Sequence, residues 1–322
     1  MNIVVVGGGI AGSTVSKLLV KHNNVTLIQD KKWGKPCGGG TKTRIFKEFN
    51  LDPFYIKEKL SSIEMKYKQS SINLDLLGEN LSIVFRKEFD EYLRENAKEH
   101  GVHLIYDKVI NIKNNKVITK KNQIIPFDIL IAADGVYSTV RKIINLPEIP
   151  KVLTYYARIN KQIKKPLFYF DKSLGSDFYA WEFPHHNQTH IGSKFNSFNN
   201  FKKYLNINIK NKGYYIPMWQ PNITIQKDNI YFVGDSAGQV MPLSFEGIYF
   251  AMMSSKILAY SIEHNLNYKK EWDKRFLNQF KFMKFLEKNM QNNFLRNLIM
   301  FSFKSKIIQK LSVKIWLIKT KI

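Results

Sequence analysis

The chain has 322 residues, of which 44% are hydrophobic and one is cysteine, and 50 Lys and Arg against 26 Asp and Glu give a net charge of +24. This composition excludes a disordered, collagen-like or disulfide-stapled protein, and the length allows one large or two interleaved domains. No uninterrupted apolar run of about 18 residues occurs, and the first residues enter a glycine turn too soon for a signal peptide. We therefore expect a cytoplasmic protein.

The first thirty residues predict a site for a dinucleotide. Residues 2–6 are a β-branched run, and a glycine-rich turn, an amphipathic helix and a second strand follow. Gly7 is expected to allow the tight turn, Gly9 to let a diphosphate approach the backbone, and Gly12 to let helix and strand pack closely. The diphosphate would lie at the helix N-terminus, and the Asp30 carboxylate would accept hydrogen bonds from an adenosine ribose.

The middle of the chain is predicted to be rich in strands. Alternating or apolar runs occur near residues 63–67, 72–75, 81–85, 103–106, 115–119, 129–133, 152–156, 168–170, 178–183 and 230–233. Helices are expected over 87–100 and from about 247 to 262, whereas the Asn- and Lys-rich residues 196–212 are expected to form a loop. A turn-rich segment at 146–150 marks a domain crossing, so the nucleotide domain is predicted to be discontinuous.

Three nucleotide motifs resemble those of the flavoprotein superfamily of para-hydroxybenzoate hydroxylase and geranylgeranyl reductase. They are the turn with Gly7, Gly9 and Gly12, the segment ADGVYSTVR at 133–141, and the segment VGDSAG at 233–238. The resemblance implies an FAD cofactor whose ribitol or ribose is held by Asp235, with Arg86 along its pyrophosphate or adenine. It also implies cofactor contacts from Ala11, Lys31, Cys37, Gly38, Val109, Asp134, Gly135 and Gly234.

Two further segments are similar to those of the geranylgeranyl reductases, including the digeranylgeranylglycerophospholipid reductases. Residues 36–40 resemble their Pro-Cys-Gly-Gly segment, and residues 179–184 match their Tyr-x-Trp-x-Phe-Pro signature. Strand alternation would place Tyr179, Trp181 and Phe183 on one face, as an aromatic wall that suits an isoprenoid chain. An ordinary aromatic core face is the alternative. The implied substrate-binding residues are Gly39, Gly40, Tyr179, Trp181 and Phe183.

Residues 238–248 resemble the Gly-x-x-x-Pro-x-x-x-Glu-Gly-Ile segment that lies beside the isoalloxazine in these reductases. The resemblance places Pro242, Gly247 and Ile248 at the flavin. Backbone N–H groups at the following helix start would face flavin N1 and O2, where negative charge collects when the ring is reduced, and the helix dipole would stabilise that charge.

Several of these residues also have a purely structural explanation. Asp235 could cap a helix, Asp134 could belong to a simple turn, and Arg86 could be a solvated surface cation. Cys37 could be a small buried hydrophobe. The histidine pair at 185–186 has no second cluster with ligand spacing, so we expect a polar loop and no metal site.

The predicted fold class is α/β (α+β), with a Rossmann-like FAD-binding domain interleaved with a mainly antiparallel β-sheet substrate domain, as in para-hydroxybenzoate hydroxylase. The predicted parts are the FAD-binding domain at 1–62, 81–150 and 222–265, the substrate-binding domain at 63–80 and 151–221, and a basic helical C-terminal segment at 266–322.

The resemblance implies an FAD-dependent oxidoreductase acting on CH–CH groups, which saturates C=C bonds of geranylgeranyl chains in membrane lipids or prenylated quinones. Reduced FAD would deliver a hydride to one alkene carbon, and a proton would reach the other. The catalytic candidates are Cys37, Tyr179 and Trp181, with a bound water as another proton source. A flavin monooxygenase or halogenase is the alternative, because the same FAD motifs serve both. The candidate electron donors are ferredoxin, a reduced deazaflavin and NADPH, and the sequence does not distinguish among them.

The C-terminal segment suggests a partner for the excess charge. Residues 289–322 carry seven Lys or Arg and no acid among many apolar residues. One helical stripe consists of Ile307, Ile308, Leu311, Ile315 and Ile318. We expect a helix resting on an anionic membrane surface at its cytoplasmic face, with a helix packed on the domain as the alternative. The sequence has no zinc, helix-turn-helix or RNA-recognition signature, so we expect no nucleic-acid partner.

Overall fold

The computed structural model describes residues 1–31, 35–171, 174 and 180–317. The strands are β1 (Asn2–Val6), β2 (Asn24–Gln29), β3 (Gly40–Lys42), β4 (Glu58–Leu60), β5 (Ser62–Tyr67), β6 (Ser70–Asp75), β7 (Leu81–Ile83), β8 (His103–Tyr106), β9 (Val109–Lys113), β10 (Lys116–Thr119), β11 (Ile124–Pro126), β12 (Ile129–Ala132), β13 (Lys151–Ile159), β14 (Leu167–Tyr169), β15 (Ala180–His185), β16 (Gln188–Lys194), β17 (Lys212–Pro217), β18 (Gln226–Lys227) and β19 (Ile230–Phe232). The helices are α1 (Ile10–Leu19), α2 (Ile45–Glu48), α3 (Arg86–Glu99), α4 (Thr139–Ile143), α5 (Phe195–Tyr204), α6 (Ile248–Glu263), α7 (Tyr268–Met290), α8 (Asn293–Ser302) and α9 (Lys306–Trp316).

A six-stranded sheet with the order β18-β19-β12-β1-β2-β8 carries the nucleotide motifs. β1 pairs in parallel with β2 and β12, and β12 pairs in parallel with β19, so the carboxyl ends of these strands meet at one edge. Val4 and Val5 of β1 are both buried, as expected for a parallel sheet with both faces covered. Helix α1 packs against α3 and α6. The strands and helices predicted here are confirmed.

A seven-stranded sheet with the order β17-β13-β16-β15-β14-β5-β6 forms the second layer. Its pairs are antiparallel except that β14 runs parallel to β5. In β15 the side chains alternate: Ala180 and Glu182 are fully buried, whereas Trp181 and Phe183 are only partly buried. The predicted mixed fold class is confirmed by these two sheets, while the domain boundaries stay a prediction.

Residues 196–212 are not the loop that their Asn and Lys content predicted. Helix α5 occupies the first part, and β17 begins at Lys212. The helix forms because Phe198 and Phe201, three positions apart, lie on one face and are fully buried against Ala157 and Ile191 of the seven-stranded sheet. Two aromatic anchors thus outweigh the loop preference of the asparagines.

The C-terminal helices pack against the hydrophobic clusters beside both large sheets. Phe276 and Phe280 of α7 contact Phe250 of α6. Helices α8 and α9 bury Met300 and Val313 in a cluster with side chains of β5 and β6. None of the helices in the described ranges is both long and apolar enough to cross a lipid bilayer.

Candidate active site

A cavity of about 580 Å³ is lined by residues of both large sheets and of the C-terminal helices. Small-molecule sites commonly have about 300–1,000 Å³. The predicted site residues that line it are Gly7, Gly9, Ala11, Asp30, Cys37, Gly38, Gly39, Gly40, Arg86, Val109, Asp134, Gly135, Trp181, Phe183, Asp235, Gly247 and Ile248. The remaining predicted ones, Gly12, Lys31, Gly234 and Pro242, are not part of the lining. Tyr179 lies outside the described residues.

The glycine turn between β1 and α1 forms one end of the cavity. Gly7 has φ +100°, a conformation that favours glycine, and a Cβ on Gly12 would lie 1.8 Å from the Gly7 carbonyl oxygen. Gly9 caps α1 without a side-chain hydrogen bond. The first N–H groups of α1 therefore have no side-chain cap at a lined cavity, which is the arrangement that binds a diphosphate.

Two polar side chains that the sequence analysis missed hold this turn. The Gln29 side-chain oxygen accepts a hydrogen bond from the Gly8 N–H at 2.5 Å, and Arg94 donates to the Gly8 carbonyl at 2.9 Å. Both side chains are buried. The sequence signal for this contact was Gln29 itself, a polar residue directly after the buried Leu27 and Ile28 of β2. Asp30 beside it is exposed and lines the cavity.

Asp235 does not cap a helix. Its carboxylate forms an ion pair with Lys35, whose ammonium lies 5.1 Å from the centre of the Tyr214 ring. Burial opposes the charge on Lys35, but the Asp235 carboxylate and the Tyr214 hydroxyl together raise the pKa of Lys35. Sequence reasoning missed Lys35 and Tyr214, because only the fold brings them to the end of β19.

Arg86 is not a solvated surface cation. Its side chain is 11% exposed, and it forms a bidentate pair with Asp90 one turn further along α3, at 2.8 and 2.9 Å. Burial disfavours the charge, but Asp90 and the Cys37 thiol raise the pKa of Arg86. Cys37 is partly buried at the same wall, and its sulfur accepts the Gly39 N–H at 3.3 Å. The thiol therefore lies beside a permanent cation.

Asp134 both forms a turn and faces the cavity, so the structure allows the two roles considered from the sequence, a turn residue and a cofactor contact. One carboxylate oxygen accepts the Val140 N–H at 3.0 Å, and Gly135 has φ +80°, so the pair does form a turn. The other oxygen is buried without a hydrogen-bond partner among the described residues, and Asp134 lines the cavity. Burial raises the pKa of Asp134. A ligand hydroxyl or N–H could satisfy this acceptor.

The other end of the cavity is apolar and aromatic. The Trp181 and Phe183 rings are 5.2 Å apart, and Phe168 meets Phe183 edge-on at 5.5 Å. A Cβ on Gly40 would lie 2.8 Å from the Phe183 ring, so this glycine lets the segment after Cys37 approach the wall. Further apolar lining comes from Ile63, Met65, Leu74, Leu76, Leu81, Phe170, Leu243, Phe245, Met283, Phe303, Val313 and Trp316. This part of the cavity, which we call the apolar chamber, suits a long hydrocarbon chain.

Between the two ends lies Glu246, just before α6. One of its oxygens accepts the Trp316 indole N–H at 3.0 Å and lies 3.6 Å from the Lys42 ammonium. Lys42 is 1% exposed and lies 3.9 Å from the centre of the Tyr249 ring. Burial lowers the pKa of Lys42 to about 8, although Glu246 opposes this. Helix α9 is thereby tied to the helix start predicted to face the flavin.

Lys42 predicts a specific pH dependence of stability. Its folded-state pKa of about 8 lies below the ordinary 10.5, so below pH 8 both states are protonated and the folded state bears the full cost of the buried charge. That cost fades as the pH rises from 8 to 10.5. We expect the wild type to gain about 3 kcal/mol over Lys42→Met across this range. Urea unfolding at several pH values measures it, and Lys98→Met, an exposed lysine, is the control. The expectation would be contradicted if the free energies of unfolding of the wild type and of Lys42→Met changed in parallel with pH.

His185 is not in a polar loop, which corrects that half of the prediction for the histidine pair, whereas His186 lies in the exposed turn between β15 and β16 as predicted. His185 ends β15, and its ring stacks between Phe85 and His190, with centroids 3.5 Å from each. Burial, and then Arg158, lower the pKa of His185 to about 3, so the ring is neutral at pH 7. The described ranges contain no group of three or more His, Cys, Asp or Glu side chains that could hold a metal ion.

The residues of the cavity fit FAD. The α1 N-terminus can bind the diphosphate, and the carboxylates of Asp30 and Asp235 can accept ribose or ribitol hydroxyls. Glu246 has a buried oxygen without a partner in the described part of the chain, next to the α6 start at Gly247. Polar groups at one end and an apolar chamber at the other therefore allow a flavin nucleotide beside a hydrocarbon substrate.

Comparisons with known proteins agree with this geometry. No family model matches the chain. The geranylgeranyl diphosphate reductase of Synechocystis sp. is 27% identical over 334 residues, which cover 86% of this chain and 82% of the relative. The digeranylgeranylglycerophospholipid reductase of Methanococcus aeolicus is 25% identical over 341 residues, which cover 89% of this chain and 86% of the relative.

Solved structures show the same fold. A geranylgeranyl bacteriochlorophyll reductase-like protein from Thermoplasma acidophilum superimposes with a TM-score of 0.82 and 20% identity, covering 97% of this chain and 95% of its own. A flavin-dependent brominase gives a TM-score of 0.71 and 14% identity, covering 98% and 99%. The family resemblance carried by the motifs is confirmed: the chain is similar in sequence to named geranylgeranyl reductases and shares its fold with a geranylgeranyl reductase-like protein and a flavin-dependent brominase.

Proposed function

We propose that the protein is an FAD-dependent reductase that saturates C=C bonds of geranylgeranyl chains, carried by membrane lipids or prenylated quinones. The observation that carries this proposal is one continuous cavity, which joins the glycine turn of β1 and α1 to the apolar chamber. Reductase homologues act on isoprenoids according to their names, which fits a chamber of that chemistry.

The chain's own residues bind and orient the reactants. The α1 N-terminus, Asp30 and Asp235 would hold the nucleotide, and the N–H groups after Gly247 would face the flavin ring, with further contacts from the other predicted cofactor residues. FAD supplies the hydride chemistry when it is bound and reduced. Trp181 and Phe183 would press the substrate chain against that region and exclude water. Cys37, held beside the Arg86 cation, is the proposed proton donor within the described part of the chain.

The electron donor is ferredoxin, a reduced deazaflavin or NADPH. The proposed location is the cytoplasmic face of an anionic membrane, where a lipid-borne substrate would be available. The net charge of +24 supports an anionic partner.

An anaerobic assay tests the proposed function. The purified protein is loaded with FAD, reduced with dithionite and mixed with a geranylgeranylated lipid, while flavin absorbance and lipid mass are followed. We expect flavin reoxidation together with a gain of two mass units per double bond, because each saturation adds two hydrogens. A Cys37→Ser variant tests the proton donor: we expect FAD still to bind, because serine is nearly the same size as cysteine, and we expect slower lipid-dependent reoxidation of the flavin.

Two results would contradict this assignment. Reduced flavin that ignores the lipid but consumes O₂ with hydroxylation or halogenation of an added substrate would establish the monooxygenase or halogenase alternative, whose fold is shared. A protein that cannot be loaded with FAD would exclude both enzymes.

A further inference from the structure

Exposed apolar side chains are concentrated on the last helices. Of the sixteen large apolar side chains that are exposed in the described residues, seven lie between Phe282 and Leu311. On α8, Phe294, Leu298 and Phe301 are 74%, 58% and 63% exposed. Their spacing of four and three residues places them on one helical face. The solvent-exposed face of a helix in a soluble protein does not normally carry such a row of large apolar side chains.

Helix α9 continues this pattern. Ile307 and Leu311 are 77% and 52% exposed, four residues apart. The stripe predicted from the sequence is therefore divided: Ile308 and Ile315 are only partly buried, and Ile318 lies outside the described residues. We call Phe294, Leu298, Phe301, Ile307 and Leu311 the outer apolar surface.

The opposite side of α9, with the residue that follows α8, is the roof of the apolar chamber. Val313 and Trp316 of α9, and Phe303 just after α8, line the cavity. Met300 and Val313 are buried in one cluster with Met65 and Leu74 of β5 and β6. Helix α9 thus has its inner face on the chamber, α8 packs against side chains that line it, and both helices carry exposed apolar side chains on their other faces.

The charges around the outer apolar surface indicate what covers it. Lys304, Lys306, Lys310 and Lys314 are all exposed beside it. Residues 281–317 contain one acidic residue, Glu287. Glu287 is buried and pairs with Lys284 at 2.9 Å. A second copy of this chain would bring the same lysines against these, which is unfavourable. An anionic surface with an apolar interior complements both the lysines and the exposed rings.

We propose that helices α8 and α9 seat the protein on an anionic lipid bilayer, with the outer apolar surface inserted between headgroups and the chamber directly beneath. An isoprenoid chain then passes from the bilayer past the roof without crossing water. The identity of that chain rests on the proposed function, whereas the membrane contact itself does not.

Co-sedimentation of the full chain with lipid vesicles tests this surface. We expect the wild type to bind vesicles of equal parts phosphatidylglycerol and phosphatidylcholine, and to bind phosphatidylcholine alone much more weakly. The variant F294S/L298S/F301S is expected to lower the affinity by at least about tenfold, because it removes three inserted side chains. A Lys304→Ala/Lys310→Ala/Lys314→Ala variant should lose much of the preference for the anionic lipid. The control is Phe54→Ser, since Phe54 is 69% exposed on another part of the molecule and should bind as the wild type does.

The results separate this inference from the proposed function. Wild-type protein that stays in the supernatant, or an α8 variant that binds as well as the wild type, would overturn the membrane surface. A dimer in size-exclusion chromatography with light scattering that the α8 variant dissociates would also overturn it, with a second copy as the occupant. Because vesicle binding needs no turnover, a protein that binds vesicles yet leaves detergent-dispersed lipid unreduced would contradict only the proposed reductase. The α8 variant should still reduce detergent-dispersed lipid.

Discussion

Replacing Gly12 by alanine is expected to prevent the protein from folding, although the change adds one methyl group. The new Cβ would lie 1.8 Å from the Gly7 carbonyl oxygen and 3.1 Å from the Ala133 side chain. The oxygen belongs to backbone in the tight turn after β1, so it cannot move without displacing the strand. We expect a loss on the order of 4–5 kcal/mol or more, comparable with the stability of many domains. Circular dichroism, melting temperature and yield of soluble protein measure it.

Gly9→Ala is the matched control, three residues earlier in the chain, at the residue that caps α1. Gly9 has φ −77°, and no atom lies within 4 Å of a Cβ built on it. This variant should therefore melt within a few degrees of the wild type, since the change costs about 1 kcal/mol or less. Its methyl group lies where a diphosphate would approach the backbone, so we expect FAD affinity to fall at least about tenfold. Equal melting of both variants would refute the steric argument, and normal FAD affinity of Gly9→Ala would refute the diphosphate placement.

The sequence predicted the nucleotide end of the fold because its constraints are local. A β-branched strand, glycines at fixed offsets and an acid after the second strand need no knowledge of the rest of the chain. The parallel pairing of Ile3 with Val25 and Ile129 then follows from the βαβ connection. Asp235 was singled out differently, by the resemblance of the segment at 233–238, which comes just after the short apolar strand β19.

Contacts between distant segments were beyond the reach of the sequence. Lys35 meets Asp235 across 200 residues, and Arg94 reaches Gly8 across 86. Trp316 reaches Glu246 from the last helix. Nothing in the local patterns around these residues distinguishes them from ordinary surface cations or core aromatics. The loop predicted at 196–212 failed differently, because buried Phe198 and Phe201 stabilise α5 against an unfavourable composition.

Removing the aromatic wall is expected to disable the enzyme while leaving its cofactor site intact. Trp181 and Phe183 are partly buried at the cavity, so truncation enlarges the apolar chamber instead of leaving a sealed hole. In the double variant W181A/F183A, the substrate chain would lose about 3–6 kcal/mol of contact. This corresponds to a fall of about 10²–10⁴-fold in kcat/KM for a geranylgeranyl substrate. The glycine turn and Asp235 are untouched, so the flavin absorbance spectrum and FAD affinity should persist.

The distribution of this loss between kcat and KM identifies what the wall does. If the rings only bind the chain, KM rises and kcat is unchanged; if they orient the double bond, kcat falls as well. The neighbouring Phe168, which meets Phe183 edge-on, supports orientation because it restrains that ring. We therefore expect both parameters to change, in steady-state assays with saturating electron donor, whereas Phe54→Ala should leave both unchanged. A double variant with wild-type kcat/KM would place the isoprenoid elsewhere, and the chamber under α9 would then need another occupant.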